Sequence, residues 1–112
     1  MRELAAGLTF ELKREVRPEM SARHLGSGTL GVLSTPSMIA MMERNAAMLA
    51  REHLGSGKAT VGFSICVKHV ASAREGATCS VSADLREVVD GRKLHFEVEV
   101  REGQRTIGLG TH

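Results

Sequence analysis

Aromatic side chains are scarce in this chain: there are three Phe, no Tyr and no Trp in 112 residues. The 15 Lys and Arg are scattered among 13 Asp and Glu, for a net charge of only +2. With few stacking platforms and no dense basic block, the composition argues against a nucleic-acid partner. No apolar run approaches the roughly 20 residues of a membrane span. The N-terminal Met1-Arg2-Glu3-Leu4-Ala5-Ala6-Gly7 has no apolar core long enough for a signal peptide. Cysteine is limited to Cys66 and Cys79, without metal-type spacing or a disulfide framework. These absences predict a cytoplasmic protein with no membrane or nucleic-acid partner. The small positive balance would still help attract an anionic small molecule.

The chain has the length and composition of one globular domain over residues 1–112, with 42% apolar and 25% charged residues. Its most organised stretch runs from Ser34 to Leu54 and reads as one long helix. Ser34 or Thr35 can cap the first free N–H groups, Pro36 suits the first turn, and Gly55 supplies a stop. Met38, Ile39, Met41, Met42, Ala46, Met48, Leu49, Ala50 and Leu54 leave little of the circumference polar, which predicts a buried helix. Glu43 stands in the middle of it.

The rest reads as strands. Leu8, Phe10 and Leu12 alternate with polar residues before Val16 and Pro18 close the run. Residues 18–34 are rich in Gly and Ser and read as a loop. From Ala59 to Val70, and again from Ala77 to Val89, apolar residues alternate with polar ones. Asp90-Gly91 marks a tight hairpin, Leu94, Phe96, Val98 and Val100 share one face, and Glu102-Gly103-Gln104 turns into a last strand through Ile107 and Leu109. One strand, one helix and a four-strand meander predict a two-layer α+β domain whose open sheet edges favour pairing with a second copy.

Three positions could carry chemistry. A carboxylate at Glu43 is costly on an apolar face unless paired or solvated in a site. His69 has the parity of Val61, Phe63, Ile65 and Val67, so an unbroken strand turns it toward the layer that Glu43 faces. Thr35 lies where a helix start presents its free N–H groups. Each also has an ordinary structural reading, as a dimer contact, a packed rim residue and a cap. If Thr35 and Glu43 were both helical, they would lie roughly 12 Å apart along the axis and about 80° apart around it. A site using both then needs a folded-back loop at Thr35 or residues from two chains.

The run Leu33-Ser34-Thr35-Pro36-Ser37-Met38-Ile39-Ala40-Met41-Met42-Glu43, followed by Thr60-Val61-Gly62, Val67-Lys68-His69-Val70-Ala71 and Val88-Val89-Asp90-Gly91-Arg92-Lys93-Leu94-His95-Phe96, resembles the fluoroacetyl-CoA thioesterase-like branch of the hot-dog fold superfamily. The resemblance spans nearly the whole chain. It implies a long helix wrapped by an antiparallel sheet of about five strands, a homodimer, and hydrolysis of an acyl-CoA thioester. It places the branch's catalytic threonine, glutamate and histidine on Thr35, Glu43 and His69, and a backbone contact lining the site on Gly62.

In that scheme His69 is general base and acid, Glu43 orients it or activates water, and Thr35 attacks or positions the water. No metal or cofactor is implied beyond the CoA of the substrate. A pocket for a very small fluorinated acyl group would be expected to have bulky walls, and residues 24–35 contain no Phe, Tyr or Trp. The chemistry is therefore expected, and the fluoroacetyl specificity is not. The competing expectation is a non-catalytic hot-dog protein that binds an acyl-CoA or another acyl ligand in the same groove.

Overall fold

The computed structural model describes residues 6–22, 31–53, 64–90 and 93–112. In chain order these hold β1 (Thr9–Glu15), a 3-10 turn (Pro18–Met20), α1 (Thr35–Arg51), β2 (Cys66–His69), β3 (Thr78–Val89), β4 (Lys93–Glu102) and β5 (Arg105–Thr111). The strands form one antiparallel sheet in the order β1-β3-β4-β5-β2, with α1 packed on one face. This is the expected one-helix, five-strand α+β arrangement.

The four-strand meander is only partly realised. β3, β4 and β5 are neighbours, but β2 pairs with β5 at the far edge and β1 takes the place beside β3. Tight turns enforce adjacency only where they occur. Asp90 at φ 56° opens the β3–β4 turn, and Gly103 at φ 61° lies in the β4–β5 turn. β2 and β3 are three strand spacings apart, about 14 Å, which residues 70–77 cross as an irregular connection. Of the expected strand from residue 59, the described part begins at Cys66, and residues 59–63 lie outside the described residues.

Period-2 patterning builds the floor of the core. Cys79, Val81, Ala83 and Leu85 of β3 and Phe96, Val98 and Val100 of β4 are buried beneath α1, while Ser82, Asp84, Glu97 and Glu99 turn to the outer face. β5 departs from simple alternation. Its register against β4 shifts between Val100 and Arg101, so Ile107 and Gly108 are both buried and Leu109 is 45% exposed.

The helix begins as its sequence predicts, with Ser34 Oγ accepting from the Ser37 N–H at 3.1 Å and Pro36 in the first turn. It ends at Arg51, with Glu52 as the cap residue, and Leu54 and Gly55 lie outside the described residues. It is not buried all round. Met38, Met41, Met42, Asn45, Ala46, Leu49 and Ala50 face the sheet, Ala40 and Arg44 are exposed, and Ile39, Glu43 and Ala47 are half-buried along one flank. Ile39 and Met48 made the run look apolar on every side, yet both are only half-buried and one stripe packs.

Asn45 is the polar residue in that stripe. Its Nδ2 donates to the carbonyls of Phe10, at 3.0 Å, and Val81, at 2.9 Å, tying α1 to β1 and β3 at once. Asn45→Ala is expected to cost about 1–3 kcal/mol, because both bonds are lost from a buried site. A urea unfolding midpoint lowered without a change in slope would show it.

Candidate active site

The approach to α1 is pinned before the helix begins. Within the expected 18–34 loop, Ser21 bridges Leu33 and Val32 bridges Arg74, while residues 23–30 lie outside the described residues. The Leu33 N–H donates to Ala73 O at 2.7 Å and the Ser34 N–H to Met20 O at 2.9 Å. These bonds set the first turn of α1 against the 70–77 connection, just past the end of β2.

His69 closes β2. It lies opposite Gly108 of β5, and the Val70 and Ala71 N–H groups both donate to Ile107 O, at 2.8 and 3.2 Å. Its parity holds as expected: Val67 and His69 turn inward, and Cys66, Lys68 and Val70 are exposed. The two pinned segments meet at one hydrogen bond, 2.8 Å between Thr35 Oγ1 and His69 Nδ1. In the tautomer protonated at Nε2, Nδ1 accepts the hydroxyl proton, as base catalysis on Thr35 requires. His69 Nε2 is buried and has no hydrogen-bond partner among the described residues. Burial holds the imidazole below the ordinary histidine value, with the Ala71 backbone pulling weakly the other way.

Glu43 departs from its expected place. It sits on the half-buried flank of α1, and among the described residues it makes no hydrogen bond or ion pair. The expected Glu43–His69 pairing is therefore not formed within the chain: the ring bonds Thr35 through Nδ1, and no Glu43 oxygen reaches Nε2. Thr35 is itself the first residue of α1, which rules out the folded-back loop and leaves the separation of a regular helix between Thr35 and Glu43. Gly62 lies outside the described residues.

Other groups are poorly placed for this chemistry. Burial, and then the nearby Glu102 carboxylate, push the Cys79 thiol up against the weaker pull of Arg105, which keeps it protonated in the core. A cleft of about 370 Å³ lies on the outer face of the sheet and includes Ser82, Asp84, Glu97, Glu99 and Leu109 in its lining. Its three carboxylates, two of them bridged by Arg86, disfavour an anionic ligand, and it faces away from Thr35 and His69. Among the described residues no group of three or more His, Cys, Asp and Glu is placed to hold a metal ion, and no helix is long and apolar enough to cross a membrane.

The family model described as fluoroacetyl-CoA-specific thioesterase, FlK, matches residues 16–112. A fluoroacetyl-CoA thioesterase of Streptantibioticus cattleyicolor is 37% identical over 81 residues, which are 72% of this chain and 58% of that protein. The match thus spans less than two thirds of that relative's length. A crystal structure of an FlK variant in complex with fluoroacetate and CoA superposes with a TM-score of 0.89 at 32% identity, covering 97% of this chain and 91% of that one. A hot-dog-like protein from Thermanaerovibrio acidaminovorans shares the fold at 16% identity, with a TM-score of 0.84 over 95% of this chain and 78% of that one. With a hot-dog architecture and a family match that runs from Val16 to the last residue, the chain belongs to the fluoroacetyl-CoA-specific thioesterase family.

Proposed function

We propose that this protein hydrolyses acyl-CoA thioesters to a carboxylic acid and free CoA. The observation that carries the reading is the 2.8 Å Thr35–His69 pair at the start of a helix. As Thr35 Oγ1 attacks the thioester carbonyl carbon, its proton passes to His69 Nδ1. Collapse of the tetrahedral oxyanion breaks the C–S bond, and His69 returns the proton to the departing thiolate. Water, deprotonated by the same nitrogen, then releases the acid from Thr35. A water held between Thr35 and His69 would make the same proton transfer if it attacked directly. Backbone N–H groups near Gly62 or at the start of α1 would face the oxyanion. The scheme calls on no metal and on no cofactor, and the CoA bound by the FlK variant supports a CoA thioester as substrate.

Lowered basicity keeps His69 neutral, and therefore a competent base, at pH 7. Activity is full above the folded-state value and falls as pH drops through it. The acid limb of kcat/KM is thus expected to have its midpoint below 6.5, with a slope of about tenfold per pH unit. A midpoint at or above 6.5 would contradict a buried, neutral His69.

We further propose a homodimer that completes the site with Glu43 of a second copy, since Glu43 and Thr35 of one helix are too far apart to meet directly. Supporting this are the buried His69 Nε2, without a partner among the described residues, and the half-buried row Ile39, Glu43 and Ala47 on one flank of α1. The edges of the sheet are also unlike. β1 carries Glu11, Lys13, Arg14 and Glu15, whereas the short β2 edge runs into Val70, which is 53% exposed. Charge protects the first edge, and the second is suited to pairing with its own copy. A fully active monomer by sedimentation would sink this part. The free thiol of Cys66 on an exposed strand supports a reducing, cytoplasmic setting.

The decisive test is thiol release from a panel of acyl-CoAs. Turnover that His69→Ala lowers by about 10³-fold is the expected result. Binding without turnover on every chain length would favour the non-catalytic acyl-CoA binder instead.

A further inference from the structure

Met38 is fully buried and lies one helical turn after Thr35. Residues three apart on a helix have Cβ atoms about 5–6 Å apart, so the side chains of Thr35 and Met38 start as neighbours. The other end of that side chain is located by Gly108, the β5 residue opposite His69. A Cβ added to Gly108 would run into Met38 Sδ and come within 2.8 Å of Met38 Cε. The thioether therefore occupies the space a side chain at 108 would fill, on the same face of the sheet as the His69 ring. Cross-strand neighbours place their Cβ atoms about 4.5–5.5 Å apart. Both groups that carry the chemistry thus have Met38 as an immediate neighbour.

An acyl chain whose carbonyl carbon sits at Thr35 Oγ1 and which runs inward between α1 and the sheet meets this thioether. Val100 pairs with Gly108 and Ile107 precedes it, and both are fully buried in one core cluster with Met38 and Leu33. A close-packed interior does not yield space for extra methylenes without cost. Methionine, unbranched and with three rotatable bonds, can adjust to a small group but cannot vacate the volume it fills. Glycine at 108 is what lets it seat so deeply. We infer that Met38, seated on Gly108, is the end wall of the acyl compartment and restricts the enzyme to short acyl chains. The inference rests on the thioesterase reading and adds the residue that sets its substrate class.

The test compares kcat/KM for acetyl-, butanoyl-, hexanoyl- and octanoyl-CoA in the wild type, Met38→Ala and Met38→Leu. The readout is the octanoyl-to-acetyl ratio measured on one sample, from which any misfolded fraction cancels. Met38→Ala is expected to raise this ratio by at least about tenfold, the discrimination that even one or two methylenes carry in an apolar pocket. Met38→Leu, of similar volume, is expected to stay within about threefold of the wild type. Equal loss on every chain length in Met38→Ala, or an equal rise in both variants, would overturn the assignment. A wild type that releases thiol from none of the four substrates would instead overturn the thioesterase reading, and this inference with it.

Discussion

His69→Ala is expected to lower kcat/KM for the best acyl-CoA by about 10³-fold, within the range usual for a positioned general base. Thr35→Ala should cost a comparable factor if its hydroxyl is the nucleophile, whereas Thr35→Ser keeps the oxygen and should retain most of the rate. Because the two side chains share one hydrogen bond, 2.8 Å between Oγ1 and Nδ1, their losses should not add. The double variant Thr35→Ala/His69→Ala is expected to be about as slow as His69→Ala alone. Circular dichroism on each variant checks that the fold survives. Less than tenfold loss in a folded His69→Ala protein would remove this pair from the chemistry. Rates that multiply in the double variant would mean that the two act separately.

Gly110→Ala is expected to give the largest structural effect of a single methyl group. Gly110 pairs with Val67, and a Cβ there would collide with Cys66 O and approach the Cα and Cγ1 of Val67 to 2.7 Å. The obstacle is mainly strand backbone, which cannot swing aside as the tip of a side chain can. β2 must therefore move off β5, its one partner strand among the described residues. Overpacking of this kind costs about 1–3 kcal/mol or more, and here it also displaces His69, which β2 carries. A lowered urea midpoint, faster hydrogen exchange in residues 66–69 and a loss of activity should appear together. An unchanged midpoint would mean that β5 and β2 tolerate a wider spacing.

The contrast between Thr35 and Glu43 shows how far the site was legible. Both stood out by residue type and place, Thr35 at a helix start and Glu43 as an acid in an apolar run. Their spacing alone also showed that they could not meet along one helix. His69 was assigned to the inner face by parity, and the structure bears that out. Its bond to Thr35 was not legible from the residues, because 34 positions separate the two and only the 70–77 connection, tied to Leu33, brings them together. The contact between Met38 and Gly108 was not legible, since a helix methionine and a strand glycine 70 positions apart carry no local sign of meeting. Asn45 carries no local sign of burial, and only its two hydrogen bonds to the Phe10 and Val81 carbonyls explain why it is buried.

The sequence by itself determined the helix that starts at Ser34 or Thr35, the inward sets Cys79-Val81-Ala83-Leu85 and Phe96-Val98-Val100, and the turns at Asp90 and Gly103. Each of these follows from local periods and turn chemistry within a few residues. The tertiary structure alone decided that β2 joins β5, that a register shift turns Leu109 outward, that only one stripe of α1 is buried, and that His69 meets Thr35 of its own chain. Those outcomes depend on which distant segments share a sheet edge and on how closely two backbones can approach. Such competition between long-range pairings has no counterpart in a local pattern.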